Sequence, residues 1–298
     1  MIGSLNKFLG GRMENNQPLV TVYISTCNRL QKLKRAINSV LLQDYHNWEL
    51  IVCDDASTDG TSEFMKDTCQ NDSRISYLRN EVNKGACETR NLGIFKAKGI
   101  FITGLDDDDE FTSDRISFFV NNWNDKYSFI CCNFIDRYLD EKDVTHYKIK
   151  AQNYLRLSYK DMLFDNTASN QIFTLTQRLQ EIGGFDKKIK RLQDWDTWLR
   201  LSFKYGDFIR FNKSTYIMHH DHAVGELRVS QNEKITQSLL DLVSRNKNIY
   251  SPDDALYMNF IVNLKKNETT IRDGLYWSYK KRNPKHFVKC ILGTFKPN

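Results

Sequence analysis

Apolar, β-branched runs alternate with segments of helical periodicity over the first 110 residues of the chain. Four such runs are found, at 19–25, 48–53, 75–79 and 99–103. After the first run, Leu30, Leu33, Ile37 and Val40 recur at the spacing of one helix face. Strands that alternate with helices in this way predict βαβ units and a mostly parallel sheet. The pattern therefore predicts an α/β fold.

Polar clusters follow the predicted strands or lie near their ends. These clusters are 26–29, 54–61, 83–90 and 106–110. In parallel sheets, ligands bind beyond the carboxyl ends of the strands, at a switch in strand order. We therefore expect one binding site at this edge of the sheet. The chain has no G-x-G-x-x-G and no G-x-x-x-x-G-K-[ST] sequence, which removes the usual support for dinucleotide or P-loop chemistry.

Five carboxylates in a row, from Asp106 to Glu110, follow the fourth predicted strand. Like charges at this spacing repel one another, and a hard divalent cation with oxygen ligands would neutralise them. The alternative is a solvated acidic turn that caps a helix beginning near Thr112. In the metal interpretation, Asp106 and Asp108 bind the cation together with phosphate oxygens. The other three carboxylates would then hold these ligands in place or cap the following helix. An EF-hand is a poor alternative, because the loop lacks glycine at its sixth position and an acid at its twelfth.

Two further clusters allow a structural and a functional interpretation. Asp54 and Asp55, at the end of the second run, could be turn and N-cap residues, or could accept the imide N–H of a uracil or thymine ring. Lys84 and Arg90 lie beside a predicted helix start, which suits a diphosphate. The alternative for Arg90 is an ordinary salt bridge on a helix surface.

Later in the chain, one carboxylate and one histidine cluster are candidates for chemistry. Asp194 precedes Trp195 at a helix start. A partly desolvated carboxylate is more basic, which suits a general base, whereas the alternative is a helix N-cap. His219, His220 and His222 follow a strand-like segment. Either His220 or His222 could complete a metal site, or the cluster could consist of surface side chains.

The net charge of +6 is concentrated at the C-terminus. Residues 251–298 hold nine Lys/Arg and four Asp/Glu, so the rest of the chain carries only +1. This distribution does not predict a nucleic-acid partner. Residues 277–298 combine six Lys/Arg and no acid with Phe287, Val288, Ile291, Leu292 and Phe295. That pattern predicts a helix on an anionic membrane surface, and the alternative is a basic tail packed on its own domain.

The seven cysteines include no C-x-x-C pair, which predicts reduced thiols and a cytoplasmic protein. No apolar run approaches the ~18 residues that a membrane-spanning helix needs. The first twelve residues do not resemble a secretory signal, and Met13 is a plausible natural start. The predicted location is the cytoplasm or the inner face of the cell membrane.

Taken together, these motifs resemble the bacterial family 2 glycosyltransferases of the GT-A fold, inverting sugar transferases of capsule and O-antigen synthesis. The similarity extends from about residue 18 to residue 222. It is carried by VTVYISTCNR (20–29), INSVLLQ (37–43), ELIVCDDASTDGT (49–61), NKGACETRNLGI (83–94), LDDDD (105–109), GGFD (183–186) and QDWDTW (193–198). Two departures are Cys27, where an aromatic residue is common, and Gln193, where glutamate is usual.

The resemblance implies a role for most of the candidate residues. Asp55 would contact the uracil or thymine ring, Asp108 and Asp106 would bind Mn²⁺ or Mg²⁺, and Asp194 would be the catalytic base. Around the nucleotide sugar we expect Ser25, Thr26, Asn28, Arg29, Lys84, Arg90, Asp106 and Asp107. Gln193 and Trp195, which flank the base, would contact the acceptor.

The resemblance also implies a domain layout and a reaction. Residues 1–17 would be an extension, 18–228 a GT-A domain with halves 18–110 and 111–228, and 229–298 a helical extension. The expected reaction transfers a hexose or N-acetylhexosamine from a UDP-sugar to an undecaprenyl-diphosphate-linked or other glycan acceptor. The alternatives are a sugar nucleotidyltransferase, whose glycine-rich basic loop is absent, and a nucleotide-sugar- or carbohydrate-binding module without catalysis.

Overall fold

The computed structural model describes residues 17–139, 142–145, 153–168, 171–221 and 235–294. Two compact units divide the chain, Met1–Glu226 and Leu227–Asn298. The expected domain boundary at 228 and 229 falls outside the described residues and stays a prediction. In the described ranges, no helix has the length and apolar character needed to cross a membrane.

The first unit contains one mixed sheet and six helices in its described part. Its strands are β1 Val20–Thr26, β2 Trp48–Asp54, β3 Ile75–Arg79, β4 Phe101–Asp106, β5 Glu110–Phe111, β6 Ile130–Arg137, β7 Val144–Thr145, β8 Tyr154–Leu157, β9 Phe173–Leu175 and β10 Phe208–His219. Its helices are α1 Leu30–Leu41, α2 Thr61–Asn71, α3 Ala86–Lys96, α4 Arg115–Asn122, α5 Thr176–Glu181 and α6 Gln193–Tyr205, with a short 3-10 helix at Tyr159–Met162.

The main path of the sheet runs β3-β2-β1-β4-β9-β6-β10-β5. Strands β3, β2, β1 and β4 are mutually parallel, as are β6 and β10. Strand β9 is antiparallel to both β4 and β6 and joins the two parallel groups. The predicted α/β fold class is confirmed. The three-residue strand β9 was not predicted, because so short a segment shows no periodicity.

The carboxyl ends of β1, β2 and β4 lie level with one another. Ser25 pairs in register with Cys53 on one side and with Asp106 on the other. Strand β4 thus continues three residues beyond its predicted end and includes Gly104. A Cβ on Gly104 would lie 2.2 Å from Gln171 Oε1 and 2.7 Å from the Tyr23 hydroxyl. Glycine is needed there because both side chains pack onto the strand just below the rim.

The acidic run is not a solvated helix cap. Glu110 and Phe111 form β5, which pairs with β10, and α4 begins only at Arg115. Asp107 and Asp109 are buried, with 5% and 4% of their surface exposed. The solvated-turn interpretation is therefore wrong for these two residues, since the pairing of β5 with β10 draws the run into the protein.

The second unit contains four described helices, α7 Ile235–Arg245, α8 Pro252–Lys266, α9 Ile271–Lys280 and α10 Lys285–Thr294. Its core is aromatic: the rings of Tyr257, Phe260 and Trp277 pack with their centroids within about 6 Å of one another. The basic segment predicted as one helix is instead divided between α9 and α10. Pro284 explains the break, since proline disfavours helical backbone at the residue before it.

Candidate active site

Arg90 connects three segments at the rim of the sheet. Its guanidinium donates to Asp106 Oδ1 at 3.1 Å and to Gln193 Oε1 at 2.6 Å. The same group lies 3.8 Å from Asp194 Oδ1. Only 13% of the Arg90 side chain is exposed, and it lies over the Phe185 ring at 5.2 Å. The alternative of an isolated salt bridge on a helix surface is therefore wrong.

The turn before α6 is attached to α3 by a side-chain amide. Asn91 accepts from the backbone N–H of Phe185 at 2.9 Å and donates to its carbonyl at 2.8 Å. Gly184 has φ +63°, and a Cβ there would lie 2.3 Å from Asn91 Oδ1. This contact needs glycine for both its backbone conformation and its space. The G-G-F-D turn thus positions α6, and Asp194 with it, beside Arg90.

Asp194 is the second residue of α6, whereas the N-cap is Leu192. The N-cap alternative for Asp194 is therefore wrong. Oδ1 of Asp194 is buried and accepts no hydrogen bond from the described residues. Burial raises the pKa of Asp194 to about 7, with the Arg90 charge opposing the rise and Asp106 adding to it. A carboxylate with a pKa near neutrality suits a general base.

The two predicted acceptor residues lie in different surroundings. Gln193 is half-buried, and its side-chain oxygen is taken by Arg90. Trp195 is buried, and its indole donates to the carbonyl of Met162 at 2.5 Å. The Trp195 ring thus anchors the 3-10 helix, and it is buried rather than exposed to an acceptor. Its acceptor role stays a prediction without geometric support.

Within the acidic run, buried and partly exposed carboxylates alternate. Asp107 accepts from Thr26 Oγ1 at 2.7 Å and from Arg29 at 3.2 Å. Burial, with the Asp108 charge, raises the pKa of Asp107 to about 6. Asp109 is buried too, and its pKa is raised well above the usual range, first by burial. Asp106 and Asp108 keep 22% and 16% of their side chains exposed.

Two residues of β10, Tyr216 and His219, donate hydrogen bonds to the buried Asp109. Asp109 accepts from the Tyr216 hydroxyl at 2.8 Å and from the backbone N–H of His219 at 2.9 Å. The Tyr216 hydroxyl also accepts from the backbone N–H of Asp106 at 3.2 Å. Strand β10 therefore fixes the turn that presents Asp106 and Asp108.

The negative charge of the run suits a divalent cation, and in this structure Asp106 and Asp108 are ion-paired with Arg90 and Arg29. Crowded, partly desolvated carboxylates raise one another's pKa values, and a hard cation with oxygen ligands would offset that repulsion. Asp106 and Asp108 are the accessible members. In the described part of the chain, no group of three His, Cys, Asp or Glu side chains is arranged to hold a metal ion. The remaining ligands would therefore be phosphate oxygens or water.

His219 and His220 each pair with a carboxylate other than Asp106 and Asp108. His220 Nε2 lies 2.7 Å from Asp136 Oδ1, and its ring stacks on Tyr138 at 4.4 Å. His219 Nε2 lies 2.5 Å from Glu110 Oε2. His220 as a metal ligand stays a prediction without a supporting cluster, and His222 lies outside the described residues.

The two carboxylates at the end of β2 have different surroundings. Asp54 is fully buried and accepts from four donors: the Ser57 N–H and hydroxyl, the Tyr77 hydroxyl and the Arg79 guanidinium. Asp54 therefore stabilises the turn after β2, as in the structural interpretation of this pair. Asp55 accepts three bonds, each of 2.8 Å, from the Asn80 side chain and the backbone N–H groups of Lys84 and Gly85. A carboxylate has about four acceptor positions, so Asp55 can take one more donor.

The loop after β1 lies against both Asp55 and the acidic run. Ser25 is half-buried at the rim, and Asn28 is exposed with φ +53°. Asn28 Oδ1 accepts from the Thr58 N–H at 2.7 Å, which links this loop to the one after β2. Arg29 contacts Asp107 and also Asp108, the latter at 3.0 Å. Its charge therefore lies beside the carboxylates expected to hold a cation.

Two residues of the site were not predicted from the sequence, because they are far from Asp106 along the chain. Gln171 donates to Asp106 Oδ1 at 3.1 Å, and Tyr216 contacts both Asp106 and Asp109. Neither carries a local sequence signal. Tyr216 lies in β10, which pairs with β5, and Gln171 lies in the segment just before β9. Lys84 contributes through its backbone, while its ammonium lies 3.6 Å from Glu88.

Most of the chain is similar to known proteins. The family described as "Glycosyl transferase family 2" matches residues 21–224. The "Putative colanic acid biosynthesis glycosyl transferase WcaA" of Escherichia coli (strain K12) is 34% identical over 285 residues, 94% of this chain and 100% of WcaA. The "UDP-Glc:alpha-D-GlcNAc-diphosphoundecaprenol beta-1,3-glucosyltransferase WfgD" of Escherichia coli is 42% identical over 98 residues, only 33% of this chain and 38% of WfgD.

Among solved structures, S. aureus TarS 1–349 in complex with UDP-GlcNAc has a TM-score of 0.63 at 15% identity. The likeness covers 92% of this chain and 79% of that one, and it shows a shared fold. The family match covers more than half of the chain, and WcaA aligns along its entire length. The chain is therefore a bacterial family 2 glycosyltransferase with the GT-A fold.

Proposed function

We propose that the chain transfers a hexose or N-acetylhexosamine from a UDP-sugar to an acceptor hydroxyl, with inversion at the anomeric carbon. The observation that carries this proposal is the position of Arg90 between Asp194 and Asp106. One guanidinium joins the candidate base to the carboxylates expected to hold the diphosphate end of the donor. A base and a leaving-group site in one cluster suit a single displacement step.

In this reaction Asp194 accepts the proton of the acceptor hydroxyl. The acceptor oxygen then forms a bond to the anomeric carbon while the bond to the diphosphate breaks, which gives a β-linkage from an α-donor. The pKa of about 7 keeps much of Asp194 ionised and still basic at neutral pH. Arg90 places a positive charge beside the departing diphosphate. When bound by Asp108 and Asp106, Mn²⁺ or Mg²⁺ would supply further charge to that group.

The uridine preference rests on Asp55. Its remaining acceptor position suits the imide N–H of uracil, and the loop containing Thr26, Asn28 and Arg29 lies beside it. Although WfgD aligns with only a third of the chain, its name specifies UDP-Glc, which supports a UDP-sugar donor.

The acceptor proposed is a lipid-linked oligosaccharide of surface polysaccharide synthesis. WcaA is named for colanic acid biosynthesis, and WfgD for a diphosphoundecaprenol-linked acceptor. An acceptor of this kind places the reaction at the inner face of the cell membrane. The enzyme would then act as a peripheral protein.

The test is a screen of UDP-sugars for UDP release, with and without Mn²⁺, on wild type, Asp108→Asn and Asp194→Asn. We expect Mn²⁺-dependent release in wild type that both substitutions reduce by at least about a hundredfold. Full activity of Asp194→Asn would refute the assignment of the base. If wild type bound UDP but transferred no sugar to any acceptor tried, a nucleotide-sugar-binding module would be the better interpretation.

A further inference from the structure

Helices α9 and α10 expose a set of large apolar side chains that the core of their unit does not use. The exposed fractions run from 48% to 89%. We call these residues the α9–α10 face: Ile271, Leu275, Tyr276 and Tyr279 of α9, with Val288 and Leu292 of α10.

Helical geometry explains why the α9 residues are exposed together. Ile271, Leu275 and Tyr279 are spaced by four residues and therefore lie on one side of α9. Gly274 and Trp277, on the other side, are buried. A helix of a soluble unit normally carries polar residues on its solvent side, whereas α9 is apolar on both sides. One apolar side packs against the core of the unit, and the exposed apolar side suits contact with another apolar surface.

Cations are abundant in the two helices that form this face and in the turn between them. Residues 270–294 contain six Lys/Arg and one acid, Asp273, whose carboxylate accepts from the N–H and hydroxyl of Thr270. Lys280 and Lys281 lie 2.9 and 3.9 Å from carboxylates of α8. The other four cations, Arg272, Arg282, Lys285 and Lys289, form no ion pair with any acid in the part of the chain that the structure describes.

We propose that the α9–α10 face docks on an anionic lipid bilayer. Leu275, Tyr276 and Tyr279 would enter the boundary between headgroups and acyl chains, where tyrosine is favoured, and the cations would contact lipid phosphates. A second copy of the chain fits less well, because a symmetric contact would bring these cations against their own copies. A nucleic acid would leave the leucine and isoleucine side chains without a partner.

The face differs from the one predicted from the sequence. Phe287 and Ile291 of the basic segment are half-buried, so they do not form the outer surface. The exposed apolar residues of α9 contribute to the outer surface instead. They begin at Ile271, six residues before the predicted segment. The docking surface rests on the peripheral location in the proposed function. It does not depend on the transfer chemistry at the rim of the sheet, so lipid binding and transfer can fail separately.

The test is co-sedimentation of the full-length protein with vesicles, in the absence of donor and acceptor. One set of vesicles is pure phosphatidylcholine, and the other is an equimolar mixture with phosphatidylglycerol. Wild type should bind the anionic vesicles and lose binding at high salt. Replacing Arg282, Lys285 and Lys289 by glutamine should weaken the partition coefficient on the order of a hundredfold. The pair Leu275→Ser and Tyr279→Ser should weaken it as well.

Matched controls change equally exposed residues of the first unit. Leu42→Ser removes an exposed leucine, and the combined substitution of Lys66, Lys96 and Lys98 by glutamine removes the same number of charges. Both controls should bind like wild type. Circular dichroism and UDP release with a water-soluble acceptor check that each variant is folded.

Three results would overturn the proposal. These are absence of wild-type binding to anionic vesicles, equal binding to pure phosphatidylcholine, and equal losses in the controls and the face variants. If the Leu275→Ser and Tyr279→Ser pair converted a dimer to a monomer in light scattering without changing vesicle binding, the face would instead bind a second copy.

Discussion

Asp194→Asn should stabilise the protein while it slows transfer. Raising the carboxyl pKa from 3.8 to about 7 means that ionisation of Asp194 costs the folded protein up to about 4 kcal/mol, at about 1.4 kcal/mol per pKa unit. Below pH 3.8 the group is protonated in both states, so it costs nothing. As the pH rises towards 7, the unfolded chain ionises first and the folded state loses stability. Above pH 7 the full cost is present.

The amide that this substitution introduces would remove the cost at every pH. We therefore expect the free energy of unfolding of Asp194→Asn to match wild type near pH 4 and to exceed it by up to about 4 kcal/mol near pH 8. Urea unfolding of the protein without ligands, measured across this pH range, gives the difference directly. The rate of transfer should fall by about 10²–10⁴, as expected for the loss of a general base.

A suitable control is Asp67→Asn, the same chemical change on the exposed surface of α2. It should alter neither the pH dependence of stability nor the transfer rate. The reasoning would be refuted if Asp194→Asn were destabilised at pH 8, or if its stability difference from wild type were independent of pH. In either case Asp194 would not be a desolvated carboxylate.

Three further substitutions test the rest of the site. Arg90→Gln removes a charge that lowers the pKa of Asp194, so the acidic limb of the pH profile of kcat/KM should move to higher pH, and an unmoved or lower limb would contradict this. Gly104→Ala should cost about 1–3 kcal/mol in urea unfolding, because its Cβ would overlap Gln171 and Tyr23. Unchanged stability would mean that this contact relaxes freely. Asp55→Asn should weaken UDP binding about tenfold in calorimetry, and an affinity like that of Asp67→Asn would show that Asp55 does not read the base.

The sequence by itself determined the fold class and the family. The alternation of apolar strands with helical segments is a local property, readable from side-chain periodicity alone, and it predicted the α/β sheet. The motifs from VTVYISTCNR to QDWDTW identified the family because they follow one another along the chain in the order typical of it. The sequence alone also identified Asp55, Arg90, Asp106 and Asp194 as candidate site residues.

Only the tertiary structure distinguished the members of each cluster by their burial and hydrogen bonding. Asp54 and Asp55 are adjacent and chemically identical, yet four donors surround Asp54, whereas Asp55 keeps an acceptor position. The exposure of the apolar outer side of α9 likewise depends on the burial of Trp277 on the opposite side. Burial and hydrogen bonding depend on contacts between residues far apart in the chain, and local periodicity does not encode those contacts.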